Sequence, residues 1–280
     1  MTKILLIDVG NTFGKLVLYD FDTSSYSNLI RISLKNVQKQ VETILESSTT
    51  VSTVLVSSTV PASYVEVKNA TSKFHKVKTI KLDHTIILKR LPRFSVAYDV
   101  NKLGSDRLIV AAGAFTFMND SKLNAEGGFE ASIVVDAGTA VNVEVILRDK
   151  GYIGGSISPG FRLMKEALCS GTAQLPSGAD SEVRAPPLVG TCTLECIASG
   201  VYSAVCGGVY DVVSRICCHG PLKDFNHVRV ILTGGDCGCL LKHLKGNLES
   251  NVPNVKSVTS EPLYVLKSMQ SIFAIPLPSS

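Results

Sequence analysis

Two aspartates placed at the ends of apolar runs, each followed by a glycine and a hydroxyl residue, are the first chemistry-bearing feature of this sequence. They stand in Asp8-Val9-Gly10-Asn11-Thr12 and Asp136-Ala137-Gly138-Thr139-Ala140, one in each half of the 280 residues. The runs ahead of them, residues 4–7 and 133–135, have the continuous apolar character of buried strands. A hairpin whose tip lacks bulky side chains lets backbone N–H groups approach phosphate oxygens. Asn11, Thr12 and Thr139 add side-chain donors, and an aspartate at the strand end can hold a cation beside a polyphosphate. One such segment is also what a plain β-turn looks like. Two in matching context form an internal repeat and point to a nucleotide held by two related halves.

Three further segments bear on chemistry. Thr233-Gly234-Gly235-Asp236 follows an apolar run at residues 228–232, and paired glycines there let the chain lie close to a flat ligand such as adenine. Gly104-Ser105-Asp106-Arg107 leads into an apolar-periodic segment with Leu108, Ala111, Ala112 and Phe115, which puts Asp106 in the opening turn of a helix. It is either a carboxylate that suits the helix dipole or a general base, with Arg107 as an anion or substrate contact. Gly154-Gly155-Ser156-Ile157-Ser158-Pro159-Gly160 reads as a glycine-rich turn that shapes a pocket or caps the helix behind it.

The elements needed to position these residues follow from hydrophobic period. Strands are predicted at residues 3–8, 15–19, 29–34 and 51–57. A helix carries Val37, Val41, Ile44 and Leu45, and another begins at Pro61. The order strand, strand, strand, helix, strand, helix, strand is that of an α/β domain whose sheet opens with antiparallel hairpins. The second half repeats it, with strands at 132–135, 141–147 and 151–157, a helix at 161–168 and the strand at 228–232. A long helix is expected from Thr193 to about Cys218, with Leu194, Ile197, Val201, Val205, Val209, Val213 and Ile216 on one face. The division expected is 1–118, a polar linker 119–131, and 132–280.

Composition excludes several other classes. Hydrophobic residues make up 45% and charged residues 19%, the balance of a globular chain rather than a disordered one. No continuous apolar run reaches bilayer length and no secretory signal opens the sequence, so a cytoplasmic protein with no membrane partner is expected. The net charge of +4 is modest. The lysines at 68, 73, 76, 78 and 81 are interrupted by acids and read as a solvated face, so no nucleic-acid partner is expected. The eight cysteines lack the paired C-x2-C units of a structural zinc site. Cys196 and Cys206 fall where a small apolar helical side chain suffices.

Taken in order, these segments resemble the type III pantothenate kinase family. The match is carried by Asp8-Val-Gly-Asn-Thr12, Ser57-Ser-Thr-Val-Pro61, Gly104-Ser-Asp-Arg107, Asp136-Ala-Gly-Thr-Ala140, Gly154-Gly-Ser-Ile-Ser-Pro-Gly160, Gly190-Thr-Cys-Thr193 with Ser199-Gly200, and Thr233-Gly-Gly235. The resemblance implies a duplicated actin-like, RNase-H-like α/β fold with an ATP cleft between its domains. It also implies ATP-dependent phosphorylation of pantothenate, the first step of coenzyme A synthesis, by a homodimer. Its cofactors are Mg2+ with ATP and a monovalent cation, K+ or NH4+. Residue by residue, it makes Asp8, Val9, Gly10, Asn11, Thr12, Phe13, Gly14 and Lys15 the first phosphate loop, with Thr139 a second ATP contact. Gly104, Ser105, Asp106, Arg107 and Thr193 contact pantothenate, with Asp106 the catalytic proton acceptor, and Asp136 binds the monovalent cation. The chain departs from the family pattern at Tyr98, which lies one residue nearer Gly104. It departs again after Ala140, where Val141, Asn142 and Glu144 replace threonines and an aspartate, and at Ser268-Met269, where a Gly-Leu is usual. A kinase of this fold for another small hydroxyl acceptor and a non-catalytic regulatory relative are the alternatives.

Overall fold

The short apolar runs become strands and the 3.6-residue patterns become helices in an arrangement that occurs twice. The computed structural model describes residues 3–97, 99–120, 128–172, 175 and 186–276. In chain order the first elements are β1 (Lys3–Val9), β2 (Phe13–Asp20), β3 (Ser25–Tyr26), β4 (Ile30–Ser33), α1 (Val37–Ser47), β5 (Val51–Ser58) and α2 (Pro61–Ser72). Next come β6 (Lys78–Lys81), α3 (His84–Arg90), β7 (Ser95–Val96), α4 (Ser105–Asn119), β8 (Ala131–Ala137), β9 (Ala140–Leu147) and β10 (Gly151–Pro159). The chain continues through α5 (Phe161–Ser170), α6 (Thr193–Cys218), β11 (Val228–Thr233), α7 (Cys237–Asn251), β12 (Val255–Ser260) and α8 (Tyr264–Ala274).

The chain divides into two units: Met1–Phe117 with Lys150–Tyr152 and Leu263–Ser280, and Met118–Asp149 with Ile153–Pro262. In the first, β1 is antiparallel to β2 and parallel to β5, and β5 is parallel to β6. The third strand is split, since both β3 and β4 pair with β2. In the second, β8 is antiparallel to β9 and parallel to β11, which is parallel to β12. The strand orders β3-β2-β1-β5-β6 and β10-β9-β8-β11-β12 therefore match position for position. This topology is the physical form of the repeat read in the two aspartate hairpins.

In the first unit Leu5, Ile7 and Val9 on one face of β1 pack with Val37, Val41, Val67 and Ala70 from α1 and α2. Strand alternation sends Ile4 and Leu6 to the other face, where they are equally buried. The helix that contacts β1 there is α8, so the last helix belongs to the first unit. The expected division placed everything after residue 131 in the second domain; the structure returns the segment from Leu263 onward to the first. The cause is the buried set Leu266, Ser268, Met269 and Ile272 on α8, an apolar surface that the strand β1 needs for cover. Two local contacts hold α8 in place. Arg90 donates to the Phe273 and Ile275 carbonyls at its C-terminus, and Phe117 lies against Tyr264 with ring centroids 5.7 Å apart.

The departure at Ser268 has a packing explanation. Ser268 is fully buried, and a Cβ placed on Gly113 of α4 would come within 2.0 Å of its hydroxyl oxygen and 3.0 Å of its Cα. The helices cross where one side has no side chain. Gly113→Ala is expected to cost about 1–3 kcal/mol, the usual penalty for overpacking, read as a lower midpoint of urea unfolding. Adding Ser268→Gly to the same chain is expected to recover most of that loss, since the two residues are in direct contact.

The second unit closes its core on Ile133, Val135, Val143 and Leu232 from the sheet with Val201, Val205, Val209 and Val213 of α6 and Leu240 and Leu244 of α7. α6 has the expected bounds, but its buried face is shifted: Leu194 is 40% exposed, and Cys206 and Cys217 are in the core. Cys196, expected as a small apolar helical position, is exposed, and its thiol donates to the Gly190 carbonyl. By length and composition α6 is also the one described helix that could cross a membrane, which a search for unbroken apolar runs does not find because glycines and serines interrupt it. The strand expected at 151–157 forms as β10 and runs on to Pro159, so the glycine-rich segment expected to turn from residue 154 stays extended almost to Gly160, with Gly154 at φ +127°. The expected linker falls partly on residues 121–127, outside the described residues; α4 continues to Asn119 and β8 starts at Ala131.

Candidate active site

In the first unit the hairpin β1–β2 carries Asp8 opposite Lys15 and Val9 opposite Gly14. The Gly10 amide donates to the Phe13 carbonyl at 3.2 Å, closing the tip, and the Thr59 amide donates to the Val9 carbonyl at 3.2 Å, tying the tip to the end of β5. Asn11 and Phe13 are exposed there, with Thr12 half-buried. The two glycines differ in purpose. A Cβ on Gly14 would meet Ile32 Cγ1 at 2.9 Å, so its bareness serves the packing of β4. The nearest neighbour of a Cβ on Gly10 is the Phe13 carbonyl oxygen at 3.8 Å, which leaves Gly10 accessible to a ligand.

Asp106 belongs to the same unit but to a different element, the start of α4. Gly104 precedes α4, its carbonyl accepting the Leu108 amide at 3.0 Å. A Cβ at Gly104 would lie 2.6 Å from Asp106 Oδ1. The Asp106 carboxylate thus folds back over the glycine of the Gly-x-Asp-Arg sequence, which leaves room for it there. This carboxylate acts on Asp8. Asp8 keeps part of its surface open but lies deep among protein atoms, and this burial is the first cause that pushes its carboxyl above the ordinary 3.8. The negative charge of Asp106 pushes in the same direction, while Lys15 and the Ser57 hydroxyl pull against it. A carboxylate serving only a helix dipole gains nothing from lying within electrostatic reach of a second, buried carboxylate, since the two repel without a cation or proton.

The partner of Arg107 was not readable in the sequence. Its Nη2 donates to the Tyr152 hydroxyl at 2.9 Å, and Tyr152 is 1% exposed. Tyr152 sits at the start of β10, where Gly151 and Tyr152 pair with Ser95 and Val96 of β7. The only sequence signal for it was a polar-tipped aromatic in an apolar strand, whose hydroxyl needs a partner when buried. Tyr98, whose spacing departs from the family pattern, lies outside the described residues.

The second unit builds its hairpin from three backbone segments. The Gly138 amide donates to the Ala140 carbonyl at 2.9 Å, the Gly160 amide to the Thr139 carbonyl at 3.0 Å, and the Asp236 amide to the Ala137 carbonyl at 3.0 Å. Asp136 pairs across the sheet with Asn142 on one side and Thr233 on the other, and Thr233 and Glu144 are buried on that face. A Cβ on Gly160 would fall 2.2 Å from the Gly138 carbonyl oxygen; on Gly234, at φ +91°, it would fall 2.2 Å from that of Ala137 and 2.6 Å from Asp136 Oδ1. A Cβ on Gly235 would meet nothing within 4 Å.

The paired glycines therefore divide the work: Gly234 lets the turn pack on the aspartate hairpin, and Gly235 leaves a bare surface. Gly234→Ala is expected to destabilise the fold by about 1–3 kcal/mol, the cost of forcing a side chain into that backbone region. Gly235→Ala is expected to leave the unfolding midpoint within about 0.5 kcal/mol of the parent and to raise the KM for the nucleotide. Parallel thermal unfolding and kinetics on the two variants check both.

Thr193 is the first residue of α6 and is exposed. Its setting is rigid: Glu195 accepts from the Thr191 amide and hydroxyl at 2.7 and 2.8 Å, a carboxylate reaching back over the helix start. The structure thus brings Asp8, Lys15 and Asp106 together in one unit, and Asp136, Thr139 and the Gly234–Gly235 turn together in the other. Among the described residues no group of three or more His, Cys, Asp or Glu side chains is placed to hold a metal ion alone. One or two carboxylates completed by phosphate, carbonyl or water oxygens are what a nucleotide-associated Mg2+ takes, and Asp8, at the end of β1 beside the hairpin tip, offers one such carboxylate.

Comparison with known proteins gives a consistent result. A family model described as type III pantothenate kinase matches residues 4–215. A type III pantothenate kinase of Flavobacterium johnsoniae is 33% identical over 250 residues, covering 89% of this chain and 92% of that protein. Among solved structures, a Campylobacter jejuni protein described as a candidate Baf family transcriptional activator aligns over 96% of each chain with TM-score 0.54 and 17% identity. Porphyromonas gingivalis acetate kinase aligns over 99% of this chain and 100% of its own with TM-score 0.53 and 8% identity. At those identities the two structures speak for the fold alone, a duplicated actin-like α/β architecture.

Proposed function

This chain belongs to the type III pantothenate kinase family, and from that premise we infer that it transfers the γ-phosphoryl group of ATP to the primary hydroxyl of pantothenate. The product is 4′-phosphopantothenate, the first intermediate of coenzyme A synthesis. The observation that supports the reading is that, in the first unit, the buried carboxyl at the end of β1 feels the negative charge of Asp106, which folds back over Gly104 at the start of α4. Phosphoryl transfer asks for positioning and charge neutralisation more than covalent catalysis.

Asp106 receives the hydroxyl proton as the oxygen attacks the γ-phosphorus. Gly104 gives its carboxylate room, and Arg107, held by the Tyr152 hydroxyl, orients the acceptor. Residues 8–15 bind ATP through the amides of the first hairpin and Lys15, and Thr139 binds it from the second. Thr193 contacts pantothenate. Asp8 would hold the Mg2+ that comes with ATP, and the ion would offset phosphate charge there. Asp136 is the candidate ligand for a monovalent cation, supported by its place at the strand end beside Asn142 and Thr233. The active form is a homodimer, and the exposed stripe Gly200, Ala204 and Gly208 on α6 is the surface on which two copies can approach closely.

The test is release of ADP by the purified chain with ATP, Mg2+ and pantothenate, in potassium and in sodium buffer. ADP release that depends on pantothenate and loses most of its rate in sodium supports both the acceptor and the cation. Binding of ATP without pantothenate-dependent release contradicts the acceptor, and equal rates in both buffers contradict the cation.

A further inference from the structure

Between α6 and α7 lies a side-chain cluster that phosphoryl transfer leaves unused. Cys206 of α6 is fully buried, and Cys239, in the first turn of α7, is partly exposed. Their sulfurs are hydrogen-bonded to one another, and the hydroxyl of Tyr202, one turn before Cys206, bonds to both. Tyr202 is fixed in turn between the Phe161 ring and the edge of His243, each with centroids 6.1 Å away. Neither cysteine is in a disulfide. The group is not among those able to hold a metal ion, of which the described residues have none.

We propose that Cys206 and Cys239 form a peroxide-reactive dithiol, with Cys239 as the attacking thiolate and Cys206 as the resolving thiol of an intramolecular disulfide. Exposure assigns the roles, because an oxidant can reach Cys239 and cannot reach Cys206. The surroundings assign them the same way. The Cys206 thiol donating to it, with smaller help from Lys242 and Tyr202, brings Cys239 down to about 7 against the opposing effects of burial and Asp236. The bond to Cys239, followed by burial, pushes Cys206 up. A thiol at a helix start beside a donor and a lysine is the setting in which thiolates form near neutral pH.

The chemistry balances with hydrogen peroxide as oxidant. The Cys239 thiolate attacks one peroxide oxygen, the S–O bond forms, the O–O bond breaks, and hydroxide leaves and is protonated to water. Cys206 then attacks the sulfenic sulfur; its proton goes to the departing hydroxyl, the S–S bond forms and a second water leaves. The sulfur pair loses two electrons and the peroxide gains them. The new bond ties α6 to the turn at Gly234–Gly235, since the Cys239 amide is bonded to the Asp236 carbonyl and the Asp236 amide to that of Ala137.

The experiment exposes the folded, reduced chain to hydrogen peroxide, blocks remaining thiols and maps peptides without reduction. The expected result is loss of two of the eight thiols, a peptide linking Cys206 to Cys239, and full reversal by dithiothreitol. In Cys206→Ser, Cys239 is expected to accumulate as a sulfenic acid trapped by dimedone. Dimedone trapping at Cys239 early in the wild-type time course gives the same reading without a variant. An unreacted Cys239 in the folded chain, or a link joining a different pair, overturns the proposal.

Discussion

Asp106→Asn is expected to lower kcat by about 10²–10⁴-fold, the contribution of a positioned general base, while the KM for ATP stays near that of the parent. Two readings of this residue differ by orders of magnitude. As a carboxylate suiting the α4 dipole, its loss costs about 0.3–1 kcal/mol of stability and leaves turnover intact. As the proton acceptor, its loss removes turnover and leaves the fold standing. The geometry favours the second outcome. The Asp106 carboxylate lies over Gly104 and raises the Asp8 carboxyl, so its removal relieves repulsion within the unit. The variant is therefore expected to unfold at no lower a temperature than the parent while being almost inactive. Thermal unfolding and steady-state kinetics on one preparation separate the two readings.

Asp8→Asn is expected to combine a gain in stability at neutral pH with a loss of activity of at least about 100-fold, the scale set by removing one electrostatic contact to the transferring group. The sign follows from linkage. The folded chain raises the Asp8 carboxyl above its ordinary 3.8, chiefly by burial and then with help from Asp106. It therefore binds that proton more tightly than the unfolded chain does. The resulting stability is fully present below the unfolded value and is lost as pH rises through the folded value. At neutral pH, above the unfolded value, Asp8 in its folded setting is a cost, and asparagine removes it. Each kcal/mol gained raises the unfolding temperature by about 2–4 °C in a chain of this size, and the advantage shrinks in acid. Added Mg2+ and ATP reverse the order: the parent gains from binding, and the variant gains less because a phosphate-side contact is missing. A variant that loses activity and stability together at neutral pH points instead to a structural role for Asp8.

Much of this arrangement was legible in the residues because it is local. A run of three or four apolar residues ending in aspartate, with a glycine two positions on and then a second strand, is a complete instruction for a hairpin, and both copies form. The order of strands and helices through residue 81 followed for the same reason, apart from β3, whose two residues are too few to carry a pattern. The place of Asp106 at a helix start was equally local, but its influence on Asp8 was not, since it joins two residues almost a hundred positions apart in the chain. Tyr152 escaped notice because its partner Arg107 is 45 positions away and an aromatic in a strand is ordinarily just core. The return of α8 was hidden because its apolar face says only that some surface covers it. Gly234 and Gly235 look alike in sequence; only the backbone angle and the approach of Ala137 separate the packing glycine from the open one. Ser268 likewise became intelligible only with Gly113 opposite it.

The most direct test of the central claim is the identity of the product. The purified chain, incubated with Mg2+, ATP and pantothenate in potassium buffer, is analysed by mass spectrometry and by phosphorus NMR. The account predicts pantothenate heavier by one phosphoryl group, a phosphomonoester signal coupled to the methylene of the primary alcohol, and one ADP formed per product. Phosphate released to water with pantothenate unchanged, or ATP left intact under conditions where it binds, contradicts it.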